Sequence, residues 1–280
     1  MTSPKLTYCA NEVRTNDRDR YLSVLFAPPE HRDALFALYA FNIEVAKTRE
    51  TVSEPMLGHV RLQWWREAID DAFSGKIRSH EVMQALGPII ASNGLSRCHF
   101  DRLIDAREYD LDDQPLATLA ALENYVEGTS AALNWLALEV LGASGKNENE
   151  AAGHVGAAWA LVGLLRALPL HTSVKCVYLP SDLMARYGFD RERLVATPPP
   201  QNLSEAVAEI AEVARERLAK SRALASHVKA AALPVLLSAV IVSAYLRRLA
   251  RAHHDPFALN AWRPALLPLE LVANACFKHY

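Results

Sequence analysis

Cysteine is scarce and scattered in this 280-residue chain: Cys9, Cys98, Cys176 and Cys276 stand singly. No CxxC pair and no Cys/His spacing suits a structural zinc, so they read as buried, reduced thiols. An excess of one charge is also missing. Thirty Lys+Arg against 32 Asp+Glu leave a formal net charge of −2, which removes the electrostatic basis for a nucleic-acid partner. The most apolar stretch, 230–246, contains Pro234 and falls short of the ~20 residues a membrane span needs, so a buried core helix is expected there. No GxGxxG, P-loop, GxSxG or HExxH appears, which leaves dinucleotide, nucleotide, serine-hydrolase and zinc-protease chemistry without their usual motifs. The first twenty residues are polar and of mixed charge, unlike a signal or transit peptide. That places the protein in a cytoplasm, with a mature matrix protein as the alternative.

What remains is helix. About half of the residues (51%) are apolar, enough for a sizeable core in one domain covering 1–280. After Pro28-Pro29, residues 34, 35, 38, 41, 43 and 45 recur near helical spacing and predict a helix over 30–46. A second follows over 56–73, ending at Ser74-Gly75. Similar patterns cover 80–91 (with Gly87-Pro88 as a kink or stop), 96–109, 116–141, 148–168, 204–227 and 233–253. Prolines from Pro169 to Pro200 predict a connecting loop with one short helix over 181–187. Alanines 206, 208, 211 and 214 suit a closely packed interior helix pair, and no strand pattern is convincing.

The segment Leu38-Tyr39-Ala40-Phe41-Asn42-Ile43-Glu44-Val45, with Gly58 and Arg61-Leu62-Gln63-Trp64-Trp65-Arg66 behind it, resembles the first signature region of the squalene/phytoene synthases. Tyr125-Val126-Glu127-Gly128-Thr129 resembles their central helix, and Leu164-Leu165-Arg166 with Val177-Tyr178-Leu179-Pro180 their second signature region. The order and spacing of these segments cover nearly the whole chain. The resemblance implies an all-α, single-domain isoprenoid (terpenoid) synthase-like helical bundle. Active members join two prenyl diphosphates, using magnesium ions to neutralise the leaving group. Facing helices supply the oxygen ligands from two aspartate-rich motifs whose residues share a helix face.

Here the first motif falls on Ala46-Lys47-Thr48-Arg49-Glu50 and the second on Ala167-Leu168-Pro169-Leu170-His171. One carboxylate, Glu50, survives in the first; alanine and histidine replace both aspartates of the second, and Pro169 is expected to disturb the helix between them. Ala160, Gly163 and Ile43 replace further polar positions, and residues around Asp19 and Arg20 stand at the family's serine-phenylalanine start. Tyr39, Arg166, Tyr178, Tyr245 and Arg263 match positions lining the diphosphate end of the family's cavity. Ala40-Phe41-Asn42 with Glu44, Val52-Ser53-Glu54, and Leu165-Arg166-Ala167 with His171 resemble the family branch of respiratory complex I assembly factors, in which the same aspartates are absent.

That branch implies a non-catalytic role with no cofactor. The partners would be complex I subunits or assembly intermediates, with a lipid or isoprenoid in a vestigial pocket and peripheral contact at the inner face of the membrane. Two alternatives stay open: a divergent head-to-head prenyltransferase using magnesium, and a lipid-binding module without an assembly role. Lys47 and Arg49 are either an anion site or a solvated helix face, the commoner use of such charges. His171 reads as a polar residue of a structural loop, and Asp101 and Asp105, with Asp110 in an ordinary connecting segment, as surface charge without a second motif. Trp64 and Trp65 read as core packing, while Arg247, Arg248 and Arg251 with His253 and His254 make a basic helix end open to solvent or to anionic lipid.

Overall fold

The computed structural model describes residues 6–52, 54–112, 114–259, 267–277 and 279–280, and no strand occurs among them. In chain order the helices are α1 (Tyr8–Asn16), α2 (Arg18–Val24), α3 (Pro29–Ala46), α4 (Thr48–Thr51), α5 (Pro55–Phe73), α6 (Glu81–Asn93) and α7 (Arg97–Ala106). Then come α8 (Leu119–Val126), a π-helical turn (Glu127–Ala131), α9 (Ala132–Val140), α10 (Lys146–Ser173), α11 (Ser181–Arg186), α12 (Arg191–Leu194), α13 (Leu203–Ala223), α14 (Leu233–Leu236), α15 (Ser238–Arg251) and α16 (Leu267–Phe277).

Two long helices position the rest. Pro29 starts α3 where its missing N–H costs nothing, and ten of the helix's eighteen residues are buried. Around Phe41 the core locks through edge-to-face contacts with Trp65 and Phe100, each at 5.4 Å, a geometry worth about 0.5–1.5 kcal/mol per pair. Trp65 is thus core as expected, and Trp64 lies half-buried beneath Arg78. Helix α10 packs on α9, α13, α15 and the π turn. It crosses that turn so closely that a Cβ at Gly156 would meet the Ser130 carbonyl oxygen at 2.6 Å, so glycine is required there. Ala206, Ala211 and Ala214 are buried on α13, which packs on α10 as the interior pair their spacing suggested.

Four expectations need correction. Helix α10 does not stop before Pro169 but runs through it to Ser173. One lost backbone donor is tolerated because Leu165, Leu168 and Thr172 stay buried and Thr172 Oγ1 donates to the Pro169 carbonyl at 3.1 Å. Pro88 likewise sits inside α6, whose burial of Val82, Met83, Leu86 and Ile90 outweighs it. The apolar segment near the C-terminus is longer than read: helix spans 230–251, 22 residues, with 72% of its apolar window buried. It and α10 are long and apolar enough to cross a membrane by length and composition. Of the free cysteines, only Cys9 is fully buried; Cys176 is half-buried, and Cys98 and Cys276 are exposed.

Candidate functional site

Where α2 meets α3, α10 and α15, charge is brought inside. Asp17 caps α2 and holds Arg20 Nη1 at 2.7 Å. The Arg20 guanidinium is buried 4.9 Å from the Trp159 ring and 5.6 Å from Tyr39, contacts that favour a cation where water is excluded. One residue before, Asp19 Oδ2 accepts from Arg166 Nη1 and from the Tyr245 hydroxyl, both at 3.0 Å, and Arg166 lies 4.7 Å over the Tyr245 ring. Burial pushes the Tyr39 and Tyr245 hydroxyls up to about 12, so both remain donors at neutral pH.

A second polar cluster lies little more than one turn farther along α10, at its C-terminal end. Asp110 is buried; its Oδ1 accepts from the Tyr125 hydroxyl at 2.7 Å and the Tyr178 hydroxyl at 2.9 Å, and its Oδ2 from Arg107 at 3.1 Å. Arg107 also donates to the Tyr125 oxygen at 2.9 Å. Burial raises both tyrosines above their ordinary range, which keeps them protonated and makes them fixed donors rather than acid–base groups. The His171 ring packs 4.8 Å from Tyr178, and its buried Nδ1 has no hydrogen-bond partner. Burial lowers His171, with Asp110 opposing the shift.

The residues named from sequence therefore separate. Tyr39, Arg166 and Tyr245 converge on α2, Tyr178 and His171 on Asp110, and Arg263 lies outside the described residues. Ala46 ends α3, Lys47 reaches Glu12 at 3.5 Å, and Glu50 is exposed on α4. Asp110 is not the ordinary connecting residue expected but the centre of a buried network, and His171 is helical rather than in a loop. Asp101 and Asp105, on α7, face Arg97 at 3.3 Å and Arg66 at 2.6 Å beside a shallow cleft of about 510 Å³.

The fold's magnesium ions do not fit this donor set. Ala46 and Ala167 offer no ligand atom, Lys47 adds a cation, and the carboxylates of Asp19 and Asp110 are already engaged. Among the described residues no group of three or more His, Cys, Asp or Glu side chains is placed to hold a metal.

The family model for squalene/phytoene synthase matches residues 13–270. The chain belongs to that family. Its relatives include NADH dehydrogenase (ubiquinone) complex I, assembly factor 6 of Rattus norvegicus, 34% identical over 98% of this chain and 82% of the relative. A presqualene diphosphate synthase of Rhodopseudomonas palustris is 26% identical over 60% of each chain. Among solved structures, a dehydrosqualene synthase in complex with ligand superposes with a TM-score of 0.83 at 17% identity, covering 97% of this chain and 95% of the other. The all-helical isoprenoid-synthase fold expected from the motifs is thus the fold found. Within this squalene/phytoene synthase frame, Asp17, Asp19, Arg20, Arg107 and Asp110 are the polar residues whose partnerships sequence reasoning missed. The run Asp17-Arg18-Asp19-Arg20 at a helix start was the available signal for the first three.

Proposed function

We propose that this protein is a non-catalytic squalene/phytoene synthase homologue that serves the assembly of respiratory complex I, NADH:ubiquinone oxidoreductase. In this reading it works as a peripheral protein at the cytoplasmic or matrix face of the energy-conserving membrane, on subunits or assembly intermediates of that complex. The observation that carries the reading is the state of Arg166. At the head of the second motif, it is paired with the chain's own Asp19, while Ala167 and His171 follow where the metal-binding aspartates would stand. Its pairing with Asp19 already offsets part of the charge a diphosphate would meet, and Glu50 alone remains of the motif carboxylates that would bring the accompanying metal. The sequence likeness to an assembly factor over 98% of this chain, against a weaker one to a synthase over 60%, supports the same reading.

Tyr39, Arg166 and Tyr245 are assigned to a vestigial pocket for a lipid or isoprenoid, checked by extraction and mass spectrometry of the purified protein. The assembly role is tested by deleting the gene in its own organism and following complex I by native gel and in-gel NADH oxidation. Loss of the assembled complex, restored by the wild-type chain and by Asp101→Asn/Asp105→Asn, supports the proposal. Undiminished complex I, or magnesium-dependent turnover of farnesyl diphosphate by the purified chain, overturns it.

A further inference from the structure

Helix α16 is apolar on both sides. Its inner side is held by buried Leu267 and Leu271 against α15. Its outer side carries Pro268, Leu269, Val272, Ala273, Cys276 and Phe277, all exposed and spaced to form one continuous stripe along the helix. Leu269 is 66% and Phe277 74% exposed, among the highest values for large apolar residues in the protein. The one acidic residue of the helix, Glu270, is held by Arg247 at 2.9 Å, which fixes the basic end of α15 beside the stripe. Arg247 and Arg251 are exposed there, and Arg222 lies close enough to Arg247 for the two charges to interact.

We propose that the outer face of α16, flanked by the cations at the end of α15, is the surface by which this protein lies on an anionic lipid bilayer. The inference rests on the peripheral-membrane part of the proposed function and names the surface responsible. Eleven residues of helix extend only about 16 Å, too short to cross a hydrocarbon core but suited to lying in the headgroup plane. An apolar stripe bordered by arginines is the arrangement that combines burial of side chains among acyl chains with attraction to anionic headgroups. A second copy docked through the same stripe about a two-fold axis would bring two sets of these arginines together, which disfavours self-association as its use.

The test uses the full chain and vesicles of equal parts phosphatidylcholine and phosphatidylglycerol. Wild type is expected to co-sediment with them, to release at high salt, and to bind pure phosphatidylcholine far more weakly. Leu269→Gln/Val272→Gln/Phe277→Gln should weaken binding on the order of a hundred-fold while the circular dichroism stays native. Arg251→Gln should weaken it roughly five-fold. Cys276 and Cys98 are both exposed and provide a readout without mutation: vesicles should protect Cys276, and not Cys98, from an aqueous maleimide. A wild-type chain that binds no anionic vesicle overturns the membrane reading itself. Wild-type binding that the triple variant retains, with Cys276 unprotected, overturns only the assignment to α16. A dimer that the triple variant abolishes, without vesicle binding, overturns it in favour of a second copy.

Discussion

The carboxylate of Asp19 lies 3.0 Å from the guanidinium of Arg166, 147 positions later in the chain, and the same oxygen takes the hydroxyl of Tyr245. Three helices, α2, α10 and α15, are thereby tied at one point. Asp19→Ala leaves a partly exposed cation and a buried hydroxyl without their acceptor. Breaking a fully buried pair costs about 3–5 kcal/mol, but the Arg166 side chain keeps 43% of its exposure, so solvent screening reduces the expected loss to about 1–2 kcal/mol. Urea unfolding followed by circular dichroism measures it. A loss equal to that of an exposed control such as Glu216→Ala would mean that the pair does not hold the helices.

The Asp110 network should be the more costly to break. Its carboxylate is buried and takes three donors, one of them the charged and mostly buried Arg107. Asp110→Ala is expected to cost about 3–5 kcal/mol, and Tyr125→Phe, which removes one neutral donor, about 1 kcal/mol. Thermal unfolding of the two variants, with Tyr178→Phe and the double Tyr125→Phe/Tyr178→Phe closing a cycle, gives both values and the coupling between the hydroxyls. An Asp110→Ala variant as stable as wild type would reduce the network to a surface-like contact.

How far these features could be read from sequence depended on the distance over which each is decided. The helices containing Phe41, Trp65 and Leu165 follow from local periodicity and were legible. Pro169 was misread because a local rule against proline was applied where the flanking turns are held by long-range packing. Helices α1 and α16 are short and were not read at all. Lost ligands at Ala46 and Ala167 were visible as residue types at motif positions. The partners of Asp19 and Asp110 were not, because Arg166, Tyr245, Tyr125 and Tyr178 come from other elements and no spacing rule links them.

Acid sensitivity should follow the half-buried histidines. Burial lowers His171, His154, His99 and His254 below their ordinary value of 6.5, so the unfolded chain binds protons that the folded chain refuses. The stability they contribute is complete above about 6.5 and is lost as pH falls from there through their folded values. His171→Asn removes one of the four, so the drop in urea midpoint from about pH 8 to about pH 5 should be smaller than in wild type. An unchanged drop would assign the acid sensitivity to other groups.

Magnesium should have no specific place in this protein, even with aspartates restored. Ala46→Asp/Ala167→Asp returns one carboxylate to each motif, but Lys47 stays beside the first and His171 one turn beyond the second. Magnesium requires near-octahedral oxygen ligands and sheds its waters reluctantly, so one restored carboxylate joined to Glu50 beside the Lys47 ammonium, facing a single one at position 167, does not hold it. Arg166 meanwhile remains engaged by Asp19, which leaves a diphosphate to compete with an intramolecular carboxylate. Calorimetry with magnesium and a non-hydrolysable farnesyl diphosphate analogue is therefore expected to give no metal-dependent heat for the wild type or the double variant. Adding Lys47→Ala, His171→Asp and Asp19→Ala removes all three obstacles, and metal-dependent binding should emerge there first. Metal-dependent binding by the wild-type chain would instead show that other carboxylates serve, and would return the protein to the transferases.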